Sequence, residues 1–205
     1  NTVFALDLGT RSVIGLVAVP EKSQLHVVAQ CAVEHPRRAM FDGQIHDVAG
    51  VAETVRRVKS DLERALGFRL QHAAVAAAGR SLLTRKLRAE REVGGTEIDE
   101  KFQAALEIAA ARQAHEELLA ELSAGPDDYA CVGYTVVGYS LDGYPLVNLV
   151  GHRGRVAAVD VLATFLPASV VNGLYAVLAR AGLEPVHLTL EPMAAVEVAV
   201  PETHR

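Results

Sequence analysis

The sequence predicts an α/β fold, a mixed sheet interrupted by a smaller strand-helix-strand-strand unit. Three observations carry this expectation. The apolar run from Thr2 to Leu8 is followed by two further strand-like runs with short turns between them, as buried strands of an α/β sheet require. Val51, Val55, Val58 and Leu62 recur at spacings of 4, 3 and 4, which is one face of a helix. From Leu82 to Leu166 the chain changes character, with mixed charge and its own strand, helix, strand, strand periods.

In order along the chain, Thr2 to Leu8, Val13 to Val19 and Leu25 to Val33 read as strands joined by Gly9-Thr10-Arg11-Ser12 and by Pro20 to Gln24, an antiparallel meander. Phe41 to Ile45 reads as one short strand. Asp47 stands where a helix N-cap belongs, and the helix ends near Gly67. His72 to Ala78 is a further short strand. These elements begin a mixed α/β sheet.

Leu82 to Val93 alternates. Lys86, Arg88, Glu90 and Glu92 share one face, while Leu87, Ala89 and Val93 share the other, with Arg91 intruding. The interleaved acids make this a solvated strand face rather than a phosphate patch. Gly94-Gly95 turns the chain and Thr96 is placed to cap a helix. Ile98, Phe102, Leu106 and Ala109 continue at helical spacing to about Leu122, before Gly125-Pro126. Tyr129 to Leu141 is strand-like, a glycine-bearing loop follows, and Val156 to Leu166 is another strand. Pro167 then opens a helix with Val170, Leu174, Val177 and Ala181 on its buried face and Gly182 at its end. Val186 to Leu190 is a strand, and Glu191-Pro192 starts a last helix with Met193 to Val200 mostly apolar.

Composition narrows the function classes. A net charge of -5 argues against broad non-specific nucleic-acid binding. Apolar stretches are short or broken by charge, so no membrane span and no signal peptide is expected. Cys31 and Cys131 are far apart and give neither a zinc spacing nor a disulfide framework, as in a cytoplasmic protein with reduced thiols. The chain opens on Asn1 rather than Met, which suggests trimming.

Two places carry chemistry. Asp7-Leu8-Gly9-Thr10 puts a carboxylate at the end of a buried strand, followed by a residue without a Cβ. Turn amides, with the Thr10 and Ser12 hydroxyls, are suitable donors to phosphate oxygens. Asp7 would hold Mg²⁺ through water, and Arg11 either adds charge to the turn or points to solvent. On these four residues alone a plain hairpin turn is the competing reading. Glu191 follows a strand and precedes a helix, where a carboxylate either positions an attacking water or simply favours the helix start at Pro192. The histidines show no ligand spacing.

Taken together, these stretches resemble the FtsA-type cell-division proteins of the actin-like ATPase superfamily. Phe4-Ala5-Leu6-Asp7-Leu8-Gly9-Thr10-Arg11-Ser12-Val13 is similar to the family's first phosphate loop, and Gly43-Gln44-Ile45-His46-Asp47 to the segment before its first helix. Glu97-Ile98-Asp99 resembles the start of the helix in its inserted subdomain. Val137-Gly138-Tyr139-Ser140-Leu141-Asp142-Gly143 and Gly151-His152-Arg153-Gly154-Arg155-Val156 resemble loops around that subdomain's later strands. Arg180-Ala181-Gly182-Leu183 and Leu188-Thr189-Leu190-Glu191-Pro192-Met193-Ala194 resemble the close of the first half of the fold.

The resemblance implies the first half of an actin-like (ribonuclease H-like) ATPase domain, residues 1–80 and 167–205, with an inserted SHS2-like subdomain at 81–166. It implies ATP and Mg²⁺ as cofactors. Asp7, Gly9, Thr10, Arg11 and Ser12 would lie at the phosphates, Asp7 would hold the metal through water, and Glu191 would position water. It also implies self-association into filaments and recruitment of a tubulin-like division protein and other division proteins at the inner face of the cell membrane. The second phosphate loop, the adenosine pocket and the membrane-binding helix are expected beyond Arg205, so little ATP binding and no hydrolysis are expected of this stretch alone. Arg11 departs from the small or uncharged residue usual in the loop. The rivals are a PilM-like pilus-assembly scaffold, a metabolic kinase of the superfamily, and an interaction module without nucleotide.

Overall fold

The first apolar runs form β1 (Val3–Leu8), β2 (Ser12–Glu21) and β3 (Gln24–Glu34) of a computed structural model that describes residues 2–22, 24–77 and 81–190. The three pair antiparallel in sequence order, the expected meander. Pro20 lies inside β2, opposite Leu25, so the turn is tighter than Pro20 to Gln24. The expected single strand at Phe41 to Ile45 is instead a minimal hairpin, β4 (Met40–Phe41) and β5 (Gln44–Ile45). Asp42 and Gly43 both take positive φ, 55° and 78°, which is the turn chemistry of an Asp-Gly pair.

Helix α1 (Val48–Leu66) starts where Asp47 caps it, with the Gly50 N–H donating to Asp47 Oδ1 at 3.0 Å. It ends at Gly67, whose φ of 76° lets its N–H donate to the Glu63 carbonyl at 2.8 Å. Val51, Val55, Val58 and Leu62 are buried as the spacing predicts. The helix lies close over β2 because residue 15 is glycine: a Cβ there would stand 2.4 Å from Val58 Cγ1 and 2.8 Å from Leu62 Cδ1. Strand β6 (His72–Ala77) runs parallel to β1, with Asp7 opposite Ala76.

The chain divides into two compact units, Asn1–Ser81 with Ser169–Arg205, and Leu82–Ala168. In the second, β7 (Leu83–Glu92), α2 (Glu100–Leu122), β8 (Tyr129–Leu141), β9 (Tyr144–Leu146) and β10 (Val156–Pro167) follow in order. The glycine-bearing loop thus contains an extra short strand, β9, that pairs with β8. The sheet runs β7-β10-β8-β9. Leu87, Ala89, Val159, Val161 and Phe165 meet Leu106, Ala110, Ala114 and Leu118 of α2 in one core. Each such large side chain contributes about 1.5–3 kcal/mol by burial. The inward helix positions continue at intervals of four from Leu106, so Ala110 rather than Ala109 is buried. On the outer face, Arg88 donates to Asp160 at 2.9 Å, Glu90 at 3.0 Å and Ser140 at 2.8 Å. Arg91 lies over the Phe102 ring.

The cap of α2 is Asp99, not Thr96. Asp99 Oδ1 accepts from the Phe102 N–H at 2.7 Å, while the Thr96 hydroxyl donates to the Val93 carbonyl. Glu97 forms an antiparallel bridge to Arg153, and Ile98 exchanges backbone bonds with Gly151 and His152. Both residues are therefore held extended, and the helix cannot begin before Asp99.

Pro167 does not open the next helix. It is the last residue of β10, opposite Tyr129, and α3 (Ala168–Arg180) begins after it. Its buried positions are Val171, Leu174, Val177 and Leu178, one step from the expected Val170. Gly182 takes φ 64° as a helix terminator should. Lys59 Nζ of α1 donates to the Gly182 carbonyl at 2.9 Å, and Arg56 Nε to the Arg180 carbonyl at 3.3 Å, satisfying carbonyls at the end of α3. Strand β11 (Glu184–Leu190) starts earlier than Val186 and runs parallel to β6, completing the order β11-β6-β1-β2-β3. Glu191 and the expected final helix lie outside the described residues.

Candidate functional site

The turn from β1 to β2 holds the residues singled out as phosphate-facing. Asp7 is exposed near the end of β1, Thr10 and Arg11 are exposed in the turn, and Gly9 and Ser12 are half-buried. The turn is closed by the Gly9 N–H donating to the Ser12 carbonyl at 3.0 Å. A Cβ on residue 9 would stand only 3.0 Å from that carbonyl, so glycine permits the turn.

The pairing register decides which way these groups face. Asp7 is opposite Ile14, and Ser12 is two residues from Ile14, so both side chains share one sheet face. Val13, Gly15 and Val17 take the other face, where Gly15 meets α1. Asp7 and Ser12 therefore look away from α1. The Thr10 hydroxyl accepts from the Gly43 N–H at 3.1 Å, which joins the turn to the β4–β5 hairpin. Arg11 forms an ion pair with Glu34 at 2.9 Å, with 84% and 68% of the two side chains exposed. At that exposure the pair adds little stability, and the Arg11 charge is directed at Glu34.

One residue of this neighbourhood carried no signal in the sequence. His35 Nε2 donates to the Gly9 carbonyl at 3.1 Å, and its backbone N–H donates to the Arg11 carbonyl at 3.0 Å. Its Nδ1 is 3.0 Å from the hydroxyl of Thr54 on α1, a fully buried residue that also reaches the Gly50 carbonyl at 3.1 Å. These partners lie 26 and 19 residues from His35 in the chain, so no local spacing marks it. His35, Thr10, Arg11, Arg38 and Met40 line a cavity of about 510 Å³ beside the turn. Below it, the Gly50 N–H and then Arg37, at 2.5 Å, hold the Asp47 carboxyl under the usual carboxylate range.

Among the described residues no three His, Cys, Asp or Glu side chains converge as a metal-binding group. No helix among the described residues is long and apolar enough to cross a membrane. Cys31 and Cys131 are both free; burial, then Asp61, pushes the Cys31 thiol up.

No family model and no curated protein matches the sequence. Solved structures do. PilM, in a structure described as the PilM-PilN type IV pilus biogenesis complex, is similar over 95% of this chain, with a TM-score of 0.65 and 15% identity. The ethanolamine utilization protein EutJ of Carboxydothermus hydrogenoformans is similar over 98% of this chain, with a TM-score of 0.45 and 18% identity. This chain spans about half of the PilM chain, 49% of its length. The similarity to PilM, with the sheet order and the unit between β6 and α3, establishes an α/β chain with the actin-like ATPase fold.

Proposed function

We propose that the β1–β2 turn is the phosphate-facing wall of an ATP–Mg²⁺ site in an actin-family protein. The observation that carries this reading is the common direction of Asp7 and Ser12, beside a turn whose tight approach to the Ser12 carbonyl Gly9 eases. Gly9 keeps the backbone approachable, Ser12 and Thr10 carry hydroxyl donors, and Asp7 would orient water on the metal. ATP brings the phosphoanhydride, and Mg²⁺ neutralises its charge. Glu191 is proposed as the residue that positions water, and Arg11 as an accessory charge, its pairing with Glu34 notwithstanding. The remaining walls are assigned to the rest of the parent protein.

The parent is proposed to be a scaffold of the FtsA type, which self-associates and links a tubulin-like division ring and other division proteins to the inner face of the membrane, with Leu82–Ala168 as an inserted contact subdomain. Motif order along the sequence supports this reading. The fold similarity to PilM supports a second one, a pilus-assembly scaffold with a PilN-like partner. Calorimetry with ATP and Mg²⁺ on the parent protein tests the shared part: binding that depends on Mg²⁺ and disappears in Asp7→Ala is expected, and binding indifferent to Asp7 rejects it. Co-sedimentation with the tubulin-like protein, against capture of a PilN-like pilus-biogenesis protein, separates the two scaffolds.

A further inference from the structure

Gly9 and Thr10 are joined by a trans peptide. In a trans peptide plane the carbonyl and the following N–H point in opposite directions. His35 Nε2 draws the Gly9 carbonyl to the side where His35 also meets Thr54 of α1. The Thr10 N–H must then point to the other side. That is the side to which the register assigns Asp7 and Ser12. Among the described residues the Thr10 N–H donates to no backbone carbonyl.

We propose that His35 is a positioning residue for the β1–β2 turn: by holding the Gly9 carbonyl against α1, it aims the Thr10 N–H at the phosphate oxygens bound on the Asp7 and Ser12 face. The inference rests on the nucleotide reading above and adds the residue that pre-orients the donor. The carbonyl only accepts, so Nε2 carries a proton. In the neutral ring Nδ1 then accepts from the Thr54 hydroxyl. If the ring is doubly protonated, that hydroxyl turns to the Gly50 carbonyl, 3.1 Å away, and accepts from Nδ1. The clamp on Gly9 survives in both states. Among the described residues, the other charged groups at this cavity are Arg11, Arg37, Arg38 and Asp42, with Glu34 paired to Arg11 and Asp47 paired to Arg37. A ligand that needs a pre-aimed amide loses affinity when the clamp is removed, because the turn must then be ordered on binding.

The test uses the ¹⁵N-labelled parent protein with two readouts. The first is amide exchange at Gly9, without ligand. The second is the shift of the Thr10 amide during titration with ATP and Mg²⁺. His35→Ala, or His35→Leu if the alanine variant does not fold, should speed Gly9 exchange about fivefold and weaken the affinity read at Thr10 about fivefold, the size of one lost hydrogen bond. His35→Gln retains an N–H donor and should restore both. Unchanged exchange and affinity in the alanine variant overturn the proposal. So does a loss that glutamine fails to restore, which would mark His35 as mere packing. A wild-type Thr10 amide indifferent to millimolar ATP and Mg²⁺ rejects the nucleotide reading and with it the phosphate role. The exchange readout then still decides whether His35 holds the turn.

Discussion

Gly15 of β2 lies directly beneath Val58 of α1, so close that a Cβ at residue 15 would stand 2.4 Å from Val58 Cγ1. Val58 is fully buried and branched at Cβ, so it has no free space into which to turn. Gly15→Ala should therefore destabilise the chain by about 1–3 kcal/mol through overpacking, outweighing the gain from a stiffer unfolded chain. Urea denaturation followed by circular dichroism measures it; an unchanged or raised midpoint would mean that α1 is free to lift off the sheet.

The start of α2 provides a second check. Asp99→Ala should lower stability by about 1 kcal/mol, the usual loss of an N-cap, because it removes the bond from the Phe102 N–H. Thr96→Ala should cost less, since the Thr96 hydroxyl serves only the Val93 carbonyl. Thermal denaturation of the two variants side by side orders them, and equal or reversed effects would contradict the assignment of the cap.

These two positions also show what the sequence makes legible. Asp47, Gly67 and Gly182 are read correctly because a cap acts on its own helix, within a few residues. Asp99 is obscured because the decision lies elsewhere: Arg153 bridges Glu97 and keeps that stretch extended, which no local pattern records. Pro167 misleads for a related reason, since pairing with Tyr129 extends β10 through it. The Asp42-Gly43 hairpin is too short for a strand period to register. In the candidate site, Asp7, Gly9 and Ser12 are legible as a carboxylate, glycine and hydroxyl around one turn. Their common facing comes from the register with β2, and the support from His35 and Thr54 comes from long-range folding, so neither is visible in spacing.

Acid should weaken both units. Backbone N–H groups, Gly50 for Asp47 and Val156 and Arg155 for Asp142, hold these carboxyls below their ordinary values. A depressed folded pKa contributes stability that is fully present above the unfolded value, about 3.9, and is lost as pH falls through the folded value. Urea midpoints should therefore drop below about pH 4. Asp47→Asn and Asp142→Asn, which keep an acceptor oxygen without a titrating charge, should each show a shallower decline. A decline as steep as that of the wild type in both variants would place the acid sensitivity elsewhere.

The central claim is that the β1–β2 turn receives nucleotide phosphates with Mg²⁺. Its most direct test is the set of backbone amide shifts in the ¹⁵N-labelled parent protein on addition of ATP, with and without Mg²⁺, in the wild type and in Asp7→Ala. The account predicts a Mg²⁺-dependent response centred on Gly9, Thr10 and Ser12, and loss of the Mg²⁺ dependence in Asp7→Ala. A response that ignores Mg²⁺ and Asp7, or one centred away from this turn, would contradict it.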